Sequence, residues 1–140
     1  MNKILVGLVI VVVVVLGFAF YFGGASKSSG NVISEDKNTN TDSSGVKVFV
    51  IDSAHLRFFM NGVENPTLTV KEGDKVRVEF TSSEGFHDWK IDEFNAATAK
   101  IMAGNSSSVE FVVDKKGTFK YYCSVGKHRA NGMEGTFIVE

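Results

Sequence analysis

Four side chains in the C-terminal half of this 140-residue chain carry groups that bind soft metal ions. Cys123, His128 and Met133 follow one another with Cys-x4-His-x4-Met spacing, and His87 lies upstream of them. Cys123 is the single cysteine, so no intramolecular disulfide can form. Two imidazoles, one thiolate and one weak thioether suit copper, whereas zinc fingers space Cys and His in closer pairs. We therefore predict one mononuclear copper ion at these four residues.

Short β-strands must position these residues. Residues 118–123 alternate so that Phe119, Tyr121 and Cys123 share one face, which should be the face toward the core. His87 follows a second alternating run, residues 76–82. Other strand-like runs, separated by turn residues, cover 46–51, 56–59, 67–70, 89–91, 109–113 and 136–139. About eight short strands predict an all-β sandwich or barrel, with 96–102 as the only stretch of helical character.

The N-terminal segment is strongly apolar. Residues 4–22 contain no charged side chain, and as a helix they are long enough to cross a bilayer. We predict that residues 1–22 are a membrane anchor or a signal sequence, and the length of the run favours an uncleaved anchor. Because Lys3 precedes the run, the positive-inside rule places the rest of the chain outside. The predicted location is the cell membrane, single-pass, with the domain on the extracytoplasmic side.

The remainder divides into a polar segment and a folded domain. Residues 23–45 are rich in Ser, Gly, Asn and Thr and predict a flexible linker. Residues 46–140 carry the strand pattern and predict the copper-binding domain. The whole chain has 15 basic and 16 acidic side chains, a net charge of −1. That balance excludes nucleic-acid binding through bulk electrostatics and a highly charged disordered chain.

Three segments of the predicted domain resemble the cupredoxins, the blue-copper family of plastocyanin, azurin and auracyanin. They are residues 66–76, the strand 117–123 that leads into the predicted copper loop, and 132–139. The resemblance covers the whole domain and implies a Greek-key β-sandwich or barrel holding one type 1 copper ion. It further implies that His87, Cys123 and His128 are the equatorial ligands and Met133 the axial one.

Two acidic residues next to predicted ligands, Asp88 and Glu134, could change the copper site. The first ligand histidine is often followed by asparagine, which ties the two ligand loops together, but here it is followed by Asp88. We expect an altered tie, and a nearby carboxylate that favours Cu(II) if it is ionised. Glu134 beside Met133 acts in the same direction and is a minor candidate ligand. His55 lies off the pattern and is not expected to bind copper.

The filled ligand set leaves no coordination position for a substrate, so we expect a protein that is not an enzyme. The resemblance implies single-electron transfer between transient redox protein partners by Cu(I)/Cu(II) cycling, with electrons crossing the exposed edge of His128. We expect a monomer that contacts the membrane through its N-terminal helix. A copper carrier or metallochaperone, and a nitrosocyanin-like copper enzyme or sensor, remain alternatives. The intact ligand set argues against an adhesion module that has lost its metal.

Overall fold

The computed structural model describes residues 40–140, which form thirteen β-strands and no helix. In chain order the strands are β1 (Asn40–Thr41), β2 (Lys47–Ala54), β3 (Arg57–Met60), β4 (Val63–Glu64), β5 (Thr67–Val70), β6 (Lys75–Ser82), β7 (Phe86–His87), β8 (Lys90–Ile91), β9 (Ala96–Ala97), β10 (Ile101–Met102), β11 (Ser106–Val112), β12 (Gly117–Tyr122) and β13 (Glu134–Val139). The prediction of an all-β domain is confirmed for this part of the chain.

Two sheets carry most of these strands. The first has the order β11-β6-β2-β3-β4, with β1 paired to the start of β2. The second has the order β5-β13-β12-β8-β9, and β7 and β10 form a separate two-stranded ribbon. Two pairs are parallel, β2 with β6 and β5 with β13, and every other pair is antiparallel. The parallel pairs join strands distant in sequence, so long connections cross from one sheet to the other.

Alternating side chains explain why the sheets pack face to face. Along β6, Val76, Val78 and Phe80 are buried while the residues between them point outward. Such a period of two gives each sheet one apolar face and one solvated face. Tyr121 of β12 meets Phe58 of β3 across the interface, with ring centroids 5.3 Å apart. The shared core therefore holds the strand that ends at Cys123.

Three features differ from the sequence-based predictions. The folded domain begins before residue 46, because Asn40–Thr41 pairs with β2 and Asp42 accepts a 3.1 Å hydrogen bond from the Val46 amide. Residues 96–102 contain no helix but the two short strands β9 and β10, which pair with β8 and β7 respectively. The prediction of about eight strands missed several two-residue strands, which are too short to produce a periodic pattern.

The predicted membrane segment, residues 1–22, and residues 23–39 of the predicted linker lie outside the described residues. Within residues 40–140, no helix long and apolar enough to cross a membrane is found.

Gly135 and Tyr121 make a close contact between the two strands that flank the predicted copper loop. They face each other in the β12–β13 register, and a Cβ atom at Gly135 would overlap the Tyr121 phenol ring. The Tyr121 hydroxyl donates a 2.6 Å hydrogen bond to the Pro66 carbonyl, which leaves the buried ring no room to move away. Only glycine fits at this position.

We predict that Gly135→Ala lowers the free energy of unfolding by about 3 kcal/mol, as overpacking of a filled core does. Chemical denaturation of the metal-free protein measures the loss. Thr136→Ala, on the opposite face of the same strand, is the control and should cost less than about 1 kcal/mol. Equal, small effects of the two substitutions would contradict the steric argument.

Candidate metal centre

Three ligand atoms converge at one end of the sandwich. The Nδ1 atoms of His87 and His128 lie 3.1 Å apart, and the Cys123 Sγ lies 3.7 and 3.5 Å from them respectively. The centre of such a triangle is about 2 Å from each corner, close to the length of a metal–imidazole bond. The three residues therefore fit one metal ion in a trigonal plane, and a His2Cys plane is the arrangement typical of a blue-copper site.

Neighbouring strands bring the three residues together. His87 ends the short strand β7, which pairs with Ile101 of β10. Cys123 follows β12 directly, and Met133 directly precedes β13, so the paired strands hold both ends of residues 124–132, the ligand loop. The Cys123 amide donates to the Met133 carbonyl at 3.1 Å, and the Met133 amide donates to the His128 carbonyl at 3.0 Å. These bonds place the fourth predicted ligand residue, Met133, beside the other three.

Burial separates the four residues into two groups. Met133, Cys123 and His87 are 0%, 1% and 2% exposed, whereas His128 is half-buried. A surface cavity of about 370 Å³ opens beside both histidines, lined also by Leu56, Phe86 and Val125. His128 is therefore the candidate ligand that lies between the buried donors and solvent.

Burial also sets the protonation of the metal-free site. It raises the pKa of the Cys123 thiol above its ordinary value, although the backbone amides of Asp88 and Val125 act in the opposite direction. Burial lowers the pKa of His87, and the neighbouring His128 lowers it further. Both shifts favour the uncharged forms of these groups, so a metal ion that binds here should displace the thiol proton.

Hydrogen bonds to the residue after His87 link the segments that carry His87 and Cys123, although that residue is the aspartate Asp88 and not the asparagine common in the family. The buried Asp88 carboxylate accepts a 2.6 Å hydrogen bond from the Ser124 amide and a 2.5 Å bond from the Ser124 hydroxyl. These bonds join the residue after His87 to the residue after Cys123. Asp88 thus acts here through Ser124, and its oxygens are not among the converging ligand atoms of the described residues.

Glu134 is also directed away from the site. Its carboxylate forms an ion pair with Arg129 at 2.5 Å, and the Arg129 guanidinium lies 4.0 Å from the centre of the Tyr122 ring. His55 is exposed and pairs with Glu84 at 3.2 Å, outside the cluster of ligand atoms. The structure therefore brings together His87, Cys123 and His128, with Met133 adjacent, and leaves Glu134 and His55 apart.

Sequence reasoning missed two residues that touch the ligand loop from outside. Arg57 donates to the Asn131 carbonyl at 2.8 Å, and Asn65 donates to the Gly132 carbonyl at 3.0 Å. Both side chains bond to backbone oxygens, so no pairing of charges or residue types in the sequence indicates them. Only Asn65-Pro66, a common turn pair, marks the segment as irregular.

Comparisons with solved structures agree with this architecture. Auracyanin A, described as a "blue" copper protein from Chloroflexus aurantiacus, superimposes with a TM-score of 0.58 at 20% identity, covering 69% of this chain and all of that one. Rusticyanin from Thiobacillus ferrooxidans gives a TM-score of 0.57 at 22% identity, covering 74% and 86% of the two chains. At these identities the likeness shows the fold alone.

Sequence comparisons identify the family. The copper-containing nitrite reductase of Neisseria meningitidis serogroup A is 32% identical over 102 residues, which cover 64% of this chain but only 26% of the reductase. The chain thus matches about a quarter of that enzyme. The family model for copper binding proteins of the plastocyanin/azurin family matches residues 45–140. The chain therefore belongs to the plastocyanin/azurin family of copper-binding proteins, the cupredoxins.

Proposed function

We propose that this protein is a membrane-tethered blue-copper protein that carries single electrons between redox partners outside the cytoplasm. The observation that carries the proposal is the convergence of the two imidazole Nδ1 atoms and the Cys123 sulfur at 3.1 to 3.7 Å. His87, Cys123 and His128 would hold copper in their plane, and the Met133 thioether would be the weak axial ligand. Copper supplies the one-electron couple.

The distribution of burial favours electron transfer over metal transfer. A carrier that hands its metal to another protein must expose donors so that the partner's ligands can replace them one by one. Here Cys123, His87 and Met133 are at most 2% exposed. An electron needs no such opening, and the half-buried His128 ring brings the site within reach of a docked protein. The apolar residues Leu56, Phe86 and Val125 beside it suit a small, transient interface.

Replacement of the sulfur ligand tests the site. The full chain loaded with Cu(II) should show intense visible absorption from the copper–thiolate bond, and Cys123→Ser should abolish it. His128→Ala should weaken or alter the absorption, whereas His55→Ala, the matched control at an exposed histidine, should leave it unchanged. Survival of the absorption in Cys123→Ser would show that the ligand assignment is wrong.

Redox cycling separates electron transfer from the alternatives. The coloured protein should bleach on reduction and recover its colour on oxidation over many cycles, with copper and protein remaining in equal amounts. Loss of copper to an acceptor protein during cycling would instead indicate a metallochaperone. A colourless site, or one whose spectrum changes with a small ligand in the cavity beside His128, would indicate an enzyme or sensor.

Copper uptake should depend on pH in a direction fixed by the Cys123 thiol. Because burial raises the pKa of Cys123, each bound ion displaces one proton, and copper(I) affinity should rise about tenfold per pH unit between about pH 7 and 8. The pKa of His87 is lowered, so this imidazole is already neutral there and adds no further slope. Competition with a chelator under anaerobic conditions measures the affinity. A flat profile would contradict a protonated metal-free thiol.

The N-terminal sequence supports the membrane part of the proposal. Residues 4–22 lack charge over a length that spans a bilayer, and the polar residues that follow suit a tether. A tether keeps the copper domain near the membrane while letting it reach different partners.

We predict that the full chain sediments with membranes and stays there through a high-salt wash, since apolar burial is not screened by salt. A variant in which a cleavable signal sequence replaces residues 1–22 should still be exported, and it should appear in the soluble extracytoplasmic fraction with its copper absorption intact. N-terminal sequencing of the native protein checks processing. A soluble native protein that begins after residue 22 would show that the segment is a cleaved signal sequence.

A further inference from the structure

Arg57, on strand β3, bridges two parts of the backbone near the copper site. Its Nη1 donates to the Leu56 carbonyl and to the Asn131 carbonyl, both at 2.8 Å. Its Nε donates to Glu64 at 2.9 Å, which fixes the guanidinium in orientation. Asn131 lies two residues before Met133, so the bridge ends at the last part of the ligand loop.

Gly132, which has no side chain, leaves room for the Arg57 guanidinium. A Cβ atom at Gly132 would lie 3.2 Å from the Arg57 guanidinium carbon, and the residue has φ +95, in the left-handed region. The absence of a side chain lets the guanidinium lie directly against the backbone. The ligand loop and Arg57 therefore fit each other closely at the residue before Met133.

Asn65 makes the second contact to this part of the loop. Its Nδ2 donates to the Gly132 carbonyl at 3.0 Å, while its Oδ1 accepts from the Phe58 amide at 3.1 Å. Its own amide donates to the Phe58 carbonyl at 2.7 Å, so the residue is tied to β3 by both backbone and side chain. The next residue, Pro66, accepts the hydroxyl of Tyr121, two residues before Cys123. Residues 65–66 thus contact the end of the ligand loop at Gly132 and the strand β12 that leads into the loop.

We propose that Arg57 and Asn65 are positioning residues that hold Met133 in place to bind the copper ion. We call these two residues the brace. The inference rests on the proposed axial role of Met133. A thioether is a weak ligand and forms a long bond, so the metal itself does little to fix its position. The two carbonyls before Met133 are each held by the brace, and the Met133 amide is bonded to the His128 carbonyl. These bonds would therefore hold Met133 in one position whatever the charge of a bound copper ion.

Loss of the brace should weaken the axial ligand. Cu(II), the more highly charged state, depends more on donated electron density than Cu(I), so the reduction potential should rise. The visible and electron paramagnetic resonance spectra of Cu(II) should change with it. Copper release to a chelator should become about tenfold faster, the factor that corresponds to one lost charge-assisted hydrogen bond.

Two substitutions each remove one of the two brace residues. Asn65→Asp keeps the oxygen that accepts from Phe58 and tolerates the positive φ of 43, but it places an acceptor against the Gly132 carbonyl. Arg57→Leu removes the bonds to both carbonyls. Should Arg57→Leu fail to fold, Arg57→Lys keeps the charge near Glu64 but lacks the planar fork that bonds Glu64 through Nε and the two carbonyls through Nη1 at the same time.

Arg77→Leu is the matched control for Arg57→Leu. The Arg77 side chain is 30% exposed against 32% for Arg57, and its ion pairs go to Asp42 and Glu110, outside the ligand loop. We expect shifted spectra, a raised potential and faster copper release in the brace variants only. Spectra and potential that stay as in Arg77→Leu, even with a lower melting temperature, would overturn the proposal and leave the brace a purely structural role.

A double-variant experiment distinguishes this proposal from the proposed function. If the brace acts through Met133, Arg57→Leu should cause no further shift of the spectrum in a Met133→Leu background, since coupled residues are non-additive. A full shift in that background would overturn the proposal. Met133→Leu alone leaving spectrum and potential unchanged would refute the axial assignment. If the unsubstituted protein loaded with Cu(II) shows no copper–thiolate absorption, the copper site itself is refuted.

Discussion

The approach of one thiol and two imidazoles to within 4 Å is the constraint on which the rest of the structure depends. In the metal-free protein no coordination bond joins these groups, and burial, which raises the pKa of the Cys123 thiol, opposes formation of the thiolate. Hydrophobic packing elsewhere must hold them in place. The β12–β13 pair does so, since the Gly135–Tyr121 contact and the Tyr121–Pro66 hydrogen bond fix the strands from which the ligand loop emerges.

Independent ties then fix each part of the site. Asp88 links the His87 segment to Ser124, and the Cys123 and Met133 backbones are bonded directly. The brace holds the end of the loop from the other sheet, where β3 belongs. A site held from several directions changes little when the charge of its metal changes. Such rigidity suits electron transfer, because a rigid site keeps one geometry for both oxidation states.

The longer strands and the four candidate ligand residues could be predicted because each produces a recognisable pattern over a short stretch of sequence. Alternation marks β6 and β12, and the Cys-x4-His-x4-Met spacing marks residues whose chemistry differs from their neighbours. Strands of two residues, such as β9 and β10, leave no period and were missed. The brace left no mark either, because Arg57 and Asn131 are 74 residues apart and the bond ends on a backbone carbonyl that any residue would supply.

The uneven exposure of the four residues follows from the position of the ligand loop at the end of the sandwich. Cys123 and Met133 adjoin the paired strands β12 and β13, so the core covers them, while His128 lies midway between them in the ligand loop and is only half-buried. Water is excluded from the sulfur donors, which protects a thiolate there from oxidation. Only an imidazole edge is left near the surface, and it can pass an electron without giving up the ion. The same burial that covers three of the four candidate ligand residues therefore leaves the fourth, His128, close to the surface.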